Sequence, residues 1–287
     1  MAKKRDSLTR IAKALERLPG NAQPGQLPDL TQHRTFVWQG ERQSLQPVAQ
    51  INPLPLSLLV GIDSARDQLL ENTRRFALGF AAHHALLWGA RGTGKSSLVK
   101  AVYGELANLA DAPAPLVLVE IERSDIHSLP ALIAQLEPLA ARLLIFCDDL
   151  SFEADDQRYK ALKVMLDGGL RGRPHSLLFY ATSNRRHLLP RDRAEQSEGD
   201  GLRPGEVVEE KLSLSDRFGL WLGFHKTDQD AYLEMIARYL AHYDIQLDEA
   251  PWRAQAIEWA AIRGARSGRV AWQFVTELAG AQGRALD

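Results

Sequence analysis

The sequence predicts an α/β protein: a three-layer α/β/α domain on a parallel five-stranded sheet, followed by a small helical domain. Three observations predict it. Between residues 58 and 225, short and continuously apolar strands alternate with segments of helical period, the pattern of a parallel sheet covered on both faces. A glycine-rich turn directly follows the first of those strands. After Lys226 the strand pattern stops and only helical periodicity remains.

Taken in order, residues 6–18 place Leu8, Ile11, Leu15 and Leu18 at helical spacing, and 19–28 read as a linker rich in turn residues. Across 33–58, Phe36 and Trp38 alternate as in a short strand, while Pro47, Pro53 and Pro55 interrupt any long element. A helix is expected from about Ser64 to Phe80. His84–Trp88 is the first buried strand, and a helix follows its turn to about Ala107. Leu116–Ile121, Leu143–Cys147, Ser176–Thr182 and Leu220–Phe224 supply four more strands, with helical segments near 128–139 and 156–167. Residues 191–208 are acidic and poor in apolar groups, which reads as a loop. Helices near 227–242, 249–263 and 268–281 complete the chain. The expected units are an amino-terminal helix and irregular extension over 1–57, an α/β domain over 58–225 and a helical lid over 226–287.

Composition limits the function classes. With 287 residues, 45% hydrophobic and 25% charged, the chain has ordinary soluble-globular proportions and room for one large core with a small companion. No apolar run is long enough to span a bilayer, and the amino terminus has no apolar segment behind its charges, so neither anchor nor secretory signal is expected. Cys147 is the only cysteine, which excludes an intramolecular disulfide and fits a reducing, cytoplasmic compartment. A formal net charge of −1 argues against wrapping nucleic acid as the main task. Lys3-Lys4-Arg5 and Arg185-Arg186-His187 then read as solvated surface charge.

The glycine-rich turn carries the chemistry. Gly89-Ala90-Arg91-Gly92-Thr93-Gly94-Lys95-Ser96, followed by Ser97, matches G-x-x-x-x-G-K-[ST]. A chain this long meets that pattern by chance roughly once in a hundred sequences, and here it has the strand before and the helix after that the motif requires. Glycines let successive backbone N–H groups turn inward at a helix start and cradle phosphate. Lys95 reaches the terminal phosphates, and the Ser96 hydroxyl meets Mg²⁺. Asp148 and Asp149, at the carboxyl end of a fully apolar strand, face the same crevice. Asp148 is expected to hold the metal and Asp149 to orient the attacking water. Cys147, inside that strand, is expected to be core rather than nucleophile. ATP and Mg²⁺ are therefore the expected ligands.

Beyond these motifs the chain resembles the AAA+ ATPases. Phe179-Tyr-Ala-Thr-Ser-Asn184 is similar to their sensor-1 strand, which points to Asn184, although Thr182 or Ser183 would serve chemically. Leu214-Ser-Asp-Arg217-Phe-Gly-Leu220 resembles the arginine-finger segment, particularly the Ser-Arg-Phe type of replication initiators. Gly264-Ala-Arg-Ser-Gly-Arg269-Val-Ala resembles the sensor-2 turn, with Arg269 preferred over Arg266. Val60-Gly61-Ile62 lies where such proteins commonly contact adenine. These features occur in AAA+ order over roughly residues 58–283. Four phrases are closer still to the bacterial domain-of-unknown-function family 815, described as predicted ATPases: Arg91–Lys100, Phe146–Phe152, Tyr180–His187 and Leu212–Leu220.

The resemblance implies a magnesium-dependent ATPase, with Asp149, Asn184, Arg217 and Arg269 as catalytic residues. It also implies a homo-oligomer whose Arg217 works across a subunit interface on an unknown protein or nucleic-acid client. One departure bears on turnover. Asp149 stands where most active relatives carry glutamate, and its side chain is one methylene shorter. The alternative is a hydrolysis-poor, initiator- or loader-like nucleotide switch. A small-molecule kinase would need neither the finger segment nor the helical lid.

Overall fold

The computed structural model describes residues 27–49, 51–152, 156, 158–168, 172, 174–186, 188 and 214–286. The helix expected over 6–18, the basic run Lys3-Lys4-Arg5, most of the 19–28 linker, His187 and the 191–208 loop lie outside them.

Seven strands form one sheet among the described residues: β1 (Thr35–Gln39), β2 (Ser44–Pro47), β3 (Ala85–Gly89), β4 (Leu116–Ile121), β5 (Arg142–Cys147), β6 (Leu177–Ser183) and β7 (Leu220–Phe224). Their order is β2-β1-β4-β5-β6-β3-β7. All neighbours are parallel except the β1–β2 hairpin, which is antiparallel. The five expected strands are therefore present, and two more extend the sheet beyond β4. The addition comes from residues read as irregular. Phe36 and Trp38 point into the core at period two, and Thr35–Trp38 pair with Leu118–Ile121. The sheet thus starts at Thr35, ahead of residue 58. Pro47 sits on the outer strand of the hairpin, a place where the missing N–H is tolerated.

Strand residues divide cleanly between two cores. Leu143, Ile145 and Cys147 of β5 join one buried cluster, while Leu144 and Phe146 join the other. Every second side chain faces the same way, so a strand buried on both sides reads as an unbroken apolar run. The first cluster includes α3 (Leu129–Leu136), α4 (Tyr159–Asp167), and Phe36 and Trp38. The second packs under α1 (Asp63–Ala77) and α2 (Lys95–Leu106). A third cluster joins α5 (Gln229–His242), α6 (Glu249–Ile262) and α7 (Gly268–Ala281), and it also takes in Leu58 and Val60. Among the described residues no helix is long and apolar enough to cross a membrane.

The hairpin is held by packing and by one buried polar contact. Trp38 is 1% exposed, and its indole Nε1 donates to Ser128 Oγ at 2.7 Å. Replacing Trp38 by alanine empties that volume and is expected to cost about 3–5 kcal/mol, read as a lower midpoint in urea unfolding. An unchanged midpoint would show that the hairpin contributes nothing to the cooperative core.

Candidate functional site

The glycine-rich turn begins where β3 ends. Gly89, Gly92 and Gly94 have φ of 141°, 75° and 92°, all in the region that favours glycine. At Gly89 the demand is also spatial: a Cβ there would lie 2.0 Å from the Phe224 carbonyl oxygen on β7. α2 starts at once with Lys95, which is buried. The Lys95 ammonium donates to the carbonyls of Gly89 (2.9 Å) and Ala90 (2.7 Å) and to Asn184 Oδ1 (3.3 Å). Burial holds it below the ordinary lysine value; Asp148 and Asp149 oppose that shift and Arg91 reinforces it.

The acidic strand end stands beside this turn. Asp148 Oδ1 accepts from Ser96 Oγ at 2.5 Å and from the Thr182 hydroxyl. Thr182 Oγ1 in turn accepts the Asp149 N–H at 2.9 Å. Asp149 has φ 50°, a left-handed conformation that aspartate tolerates better than most side chains. Its Oδ1 receives Asn184 Nδ2 at 2.5 Å. Asn184 thus touches Lys95 through its oxygen and Asp149 through its amide nitrogen. The residues left open in the sequence differ in their contacts: Asn184 bridges Lys95 and Asp149, Thr182 bonds both aspartates, and Ser183 is fully buried. Cys147 is buried too, and burial pushes its thiol up. That agrees with a core residue.

Together these groups line a cavity of about 710 Å³. Arg91, Gly92, Thr93, Gly94, Lys95, Ser96, Ser97, Asp148, Asp149 and Asn184 all border it, as do Val60, Ile62 and Arg269. Arg269 stands in the first turn of α7, whose Ser267 cap accepts the Val270 N–H at 3.3 Å and whose Gly268 N–H donates to the Gly92 carbonyl at 3.0 Å. The start of α7 therefore touches the glycine-rich turn directly. Arg266 turns away and donates to Gln229 Oε1. Gly89, Ala90 and Gly61 shape the surrounding turns without bordering the cavity.

Arg217 is not brought to this cavity. Its Nε pairs with Asp167 Oδ1 at the end of α4, at 2.6 Å. The sequence reading missed the other end of the cavity. Leu58, Leu59, Met235, Tyr239 and Trp272 give it an apolar, aromatic wall, with the Tyr239 and Trp272 rings 5.4 Å apart and edge-on. Helical spacing alone marks Met235, Tyr239 and Trp272 as lid-core residues, so nothing local singled them out.

The cavity fits ATP with magnesium on its own chemistry. It has a turn whose glycines hold positive φ, a buried ammonium, and a wide apolar end for a base. Among the described residues no group of three or more His, Cys, Asp or Glu could hold a metal alone. A hydroxyl and a carboxylate converging at Ser96 and Asp148 suit an ion that completes its shell with phosphate and water.

The family model described as "Protein of unknown function (DUF815)" matches residues 31–282. Among solved structures, the Aeropyrum pernix ORC1 protein in complex with DNA is similar, with a TM-score of 0.57 at 16% identity, over 82% of this chain and 65% of that one. The Thermotoga maritima RuvB Holliday junction branch migration motor gives a TM-score of 0.44 at 15% identity, over 78% of this chain and 72% of that one. No curated protein matches the sequence. The fold is that of the AAA+ P-loop ATPases.

Thr182→Val keeps the shape of a fully buried side chain but leaves the Asp149 N–H and Asp148 carboxylate short of a partner. It is expected to cost about 1–3 kcal/mol of stability, measured by urea unfolding; a neutral result would mean the hydroxyl is dispensable to the acidic turn.

Proposed function

The chain belongs to the DUF815 family, matched over 252 of its residues from 31 to 282, and we propose that it is a magnesium-dependent ATPase of the AAA+ type that works as a homo-oligomer. The observation that carries this reading is the convergence of Lys95, Ser96, Asp148, Asp149, Asn184 and Arg269 on one cavity. ATP lies with its phosphates along residues 89–97 and its base against Val60, Ile62, Tyr239 and Trp272. Bound with it, Mg²⁺ neutralises phosphate charge, and Ser96 and Asp148 hold it. Asp149 orients the attacking water, and Asn184 fixes the direction of the Asp149 carboxylate. Lys95 and Arg269 offset the charge that builds on the transferred group. The domain limits that accompany this reading are an α/β unit ending near 225 and a lid from 226, and the compartment is cytoplasmic.

Arg217 lies outside its own chain's cavity, which supports its use on the cavity of a neighbouring subunit. There it would act as an arginine finger. The client is a protein or a nucleic acid. A second reading, a nucleotide switch with negligible turnover, is favoured by one observation: the short Asp149 side chain is already engaged by Asn184 at 2.5 Å.

Hydrolysis of Mg-ATP across a protein-concentration series separates the two. The ATPase reading expects the rate per subunit to rise with concentration, and Lys95→Ala and Arg217→Ala each to lose activity by about a thousandfold. ATP binding through Lys95 with no turnover at any concentration would overturn the ATPase and leave the switch. Base placement has its own readout. Nucleotide should change tryptophan emission in the wild type and not in Trp272→Phe; an identical response in both would move the base elsewhere.

A further inference from the structure

A second cavity, of about 500 Å³, adjoins the first behind the phosphate-binding turn. The two share only Arg91 and Thr93. The second is otherwise bounded by Ala90, by residues 226–227 after β7, by 260–261 in the last turn of α6 and by 264–267 between α6 and α7. Three cations line it, Arg91, Lys226 and Arg266, and among the described lining residues there is no carboxylate. None of the three forms an ion pair with a described carboxylate. Arg266 is held by its bond to Gln229 Oε1 at 3.3 Å.

Like charges gathered without a counter-charge repel, and an anion placed among them relieves that repulsion. One feature of the wall opposes this, because the carbonyl end of α6 points a negative dipole end here. Two carbonyls of its last turn are already engaged, Ala261 by the Gly264 N–H at 3.1 Å and Ala260 by the Ala265 N–H at 3.3 Å. Three full charges outweigh what is left. Two guanidinium forks and an ammonium suit phosphate oxygens better than a single carboxylate. The volume falls within the range of about 300–1,000 Å³ typical of small-molecule sites.

We propose that this cavity binds a small anion carrying two or more phosphate groups, separately from the nucleotide of the first cavity, and that Arg91 couples the two. The binding site stands on its own lining; the coupling rests on the first cavity being the nucleotide site. Arg91 borders both cavities, so an anion that draws its charge into the second weakens the hold on nucleotide phosphates in the first. By linkage, nucleotide weakens the second anion equally.

Inorganic pyrophosphate is the probe, titrated calorimetrically into full-length protein saturated with Mg²⁺ and a non-hydrolysable ATP analogue. The wild type should still bind pyrophosphate, and Lys226→Glu and Arg266→Glu should each weaken it by about tenfold or more. Both variants should bind fluorescent ATP as the wild type does, since neither residue borders the first cavity. Lys95→Ala should lose the fluorescent ATP and keep pyrophosphate, which separates this site from failure of the nucleotide reading. Pyrophosphate binding that vanishes once the analogue is bound, or that both charge reversals leave unchanged, overturns the proposal. So does a short single-stranded oligonucleotide that binds through Lys226 and Arg266 where pyrophosphate does not, because the ligand is then a nucleic-acid backbone.

Discussion

Everything at the candidate site depends on three parallel strands whose carboxyl ends fall within two residues of one another in register. Trp88 lies opposite Ser183, and Cys147 opposite Ala181. The residues that follow, Gly89, Asn184 and Asp148, therefore emerge along one edge. That alignment is enforced by the interior, not by the polar groups. Each strand commits alternate side chains to two different cores, so a slip of one residue would exchange every side chain between them. Close-packed interiors do not absorb such an exchange. The apolar runs thus set hydrogen-bond distances that no apolar residue makes.

On that platform the polar groups form a closed set of contacts. Lys95 is placed by two turn carbonyls and by Asn184, and Asn184 also holds Asp149. Asp148 gathers Ser96 and Thr182. Lys95, Ser96, Asp148 and Asp149 are each held by a neighbouring polar group. Such preorganisation lets charge stabilisation act without rearrangement at the moment of reaction. A buried ammonium with a lowered proton affinity belongs to the same economy of position: it is desolvated and aimed, and two carboxylates offset part of what desolvation costs.

Much of this was legible in the sequence, and the reasons are local. β4 and β7 coincide with the expected strands, and α5, α6 and α7 with the expected helices to within two residues. Continuous apolar runs and helical period are written in neighbouring residues. The P-loop was legible for the same reason, being one contiguous phrase. What escaped was written across distance. Phe36 and Trp38 showed their alternation, but their partners on β4 lie some eighty residues on, so membership of the sheet was hidden. Tyr239 and Trp272 keep the spacing of any lid-core residue, and only the packing of α5 and α7 against residues 54–62 makes them a cavity wall. Arg217 was read as a finger from its phrase, whereas its contact with Asp167 joins residues fifty apart in the chain.

The segment entering α1 has a mechanical consequence. Leu58 and Val60 are buried with the lid helices, while Leu59 between them is buried with the sheet. Arg238 on α5 donates to the Ser57 carbonyl at 2.7 Å, so the backbone is fastened to the lid as well. This strap is stitched into both bodies at once, one residue at a time. The three helices and the sheet are thereby joined along this segment by covalent backbone as well as by packing.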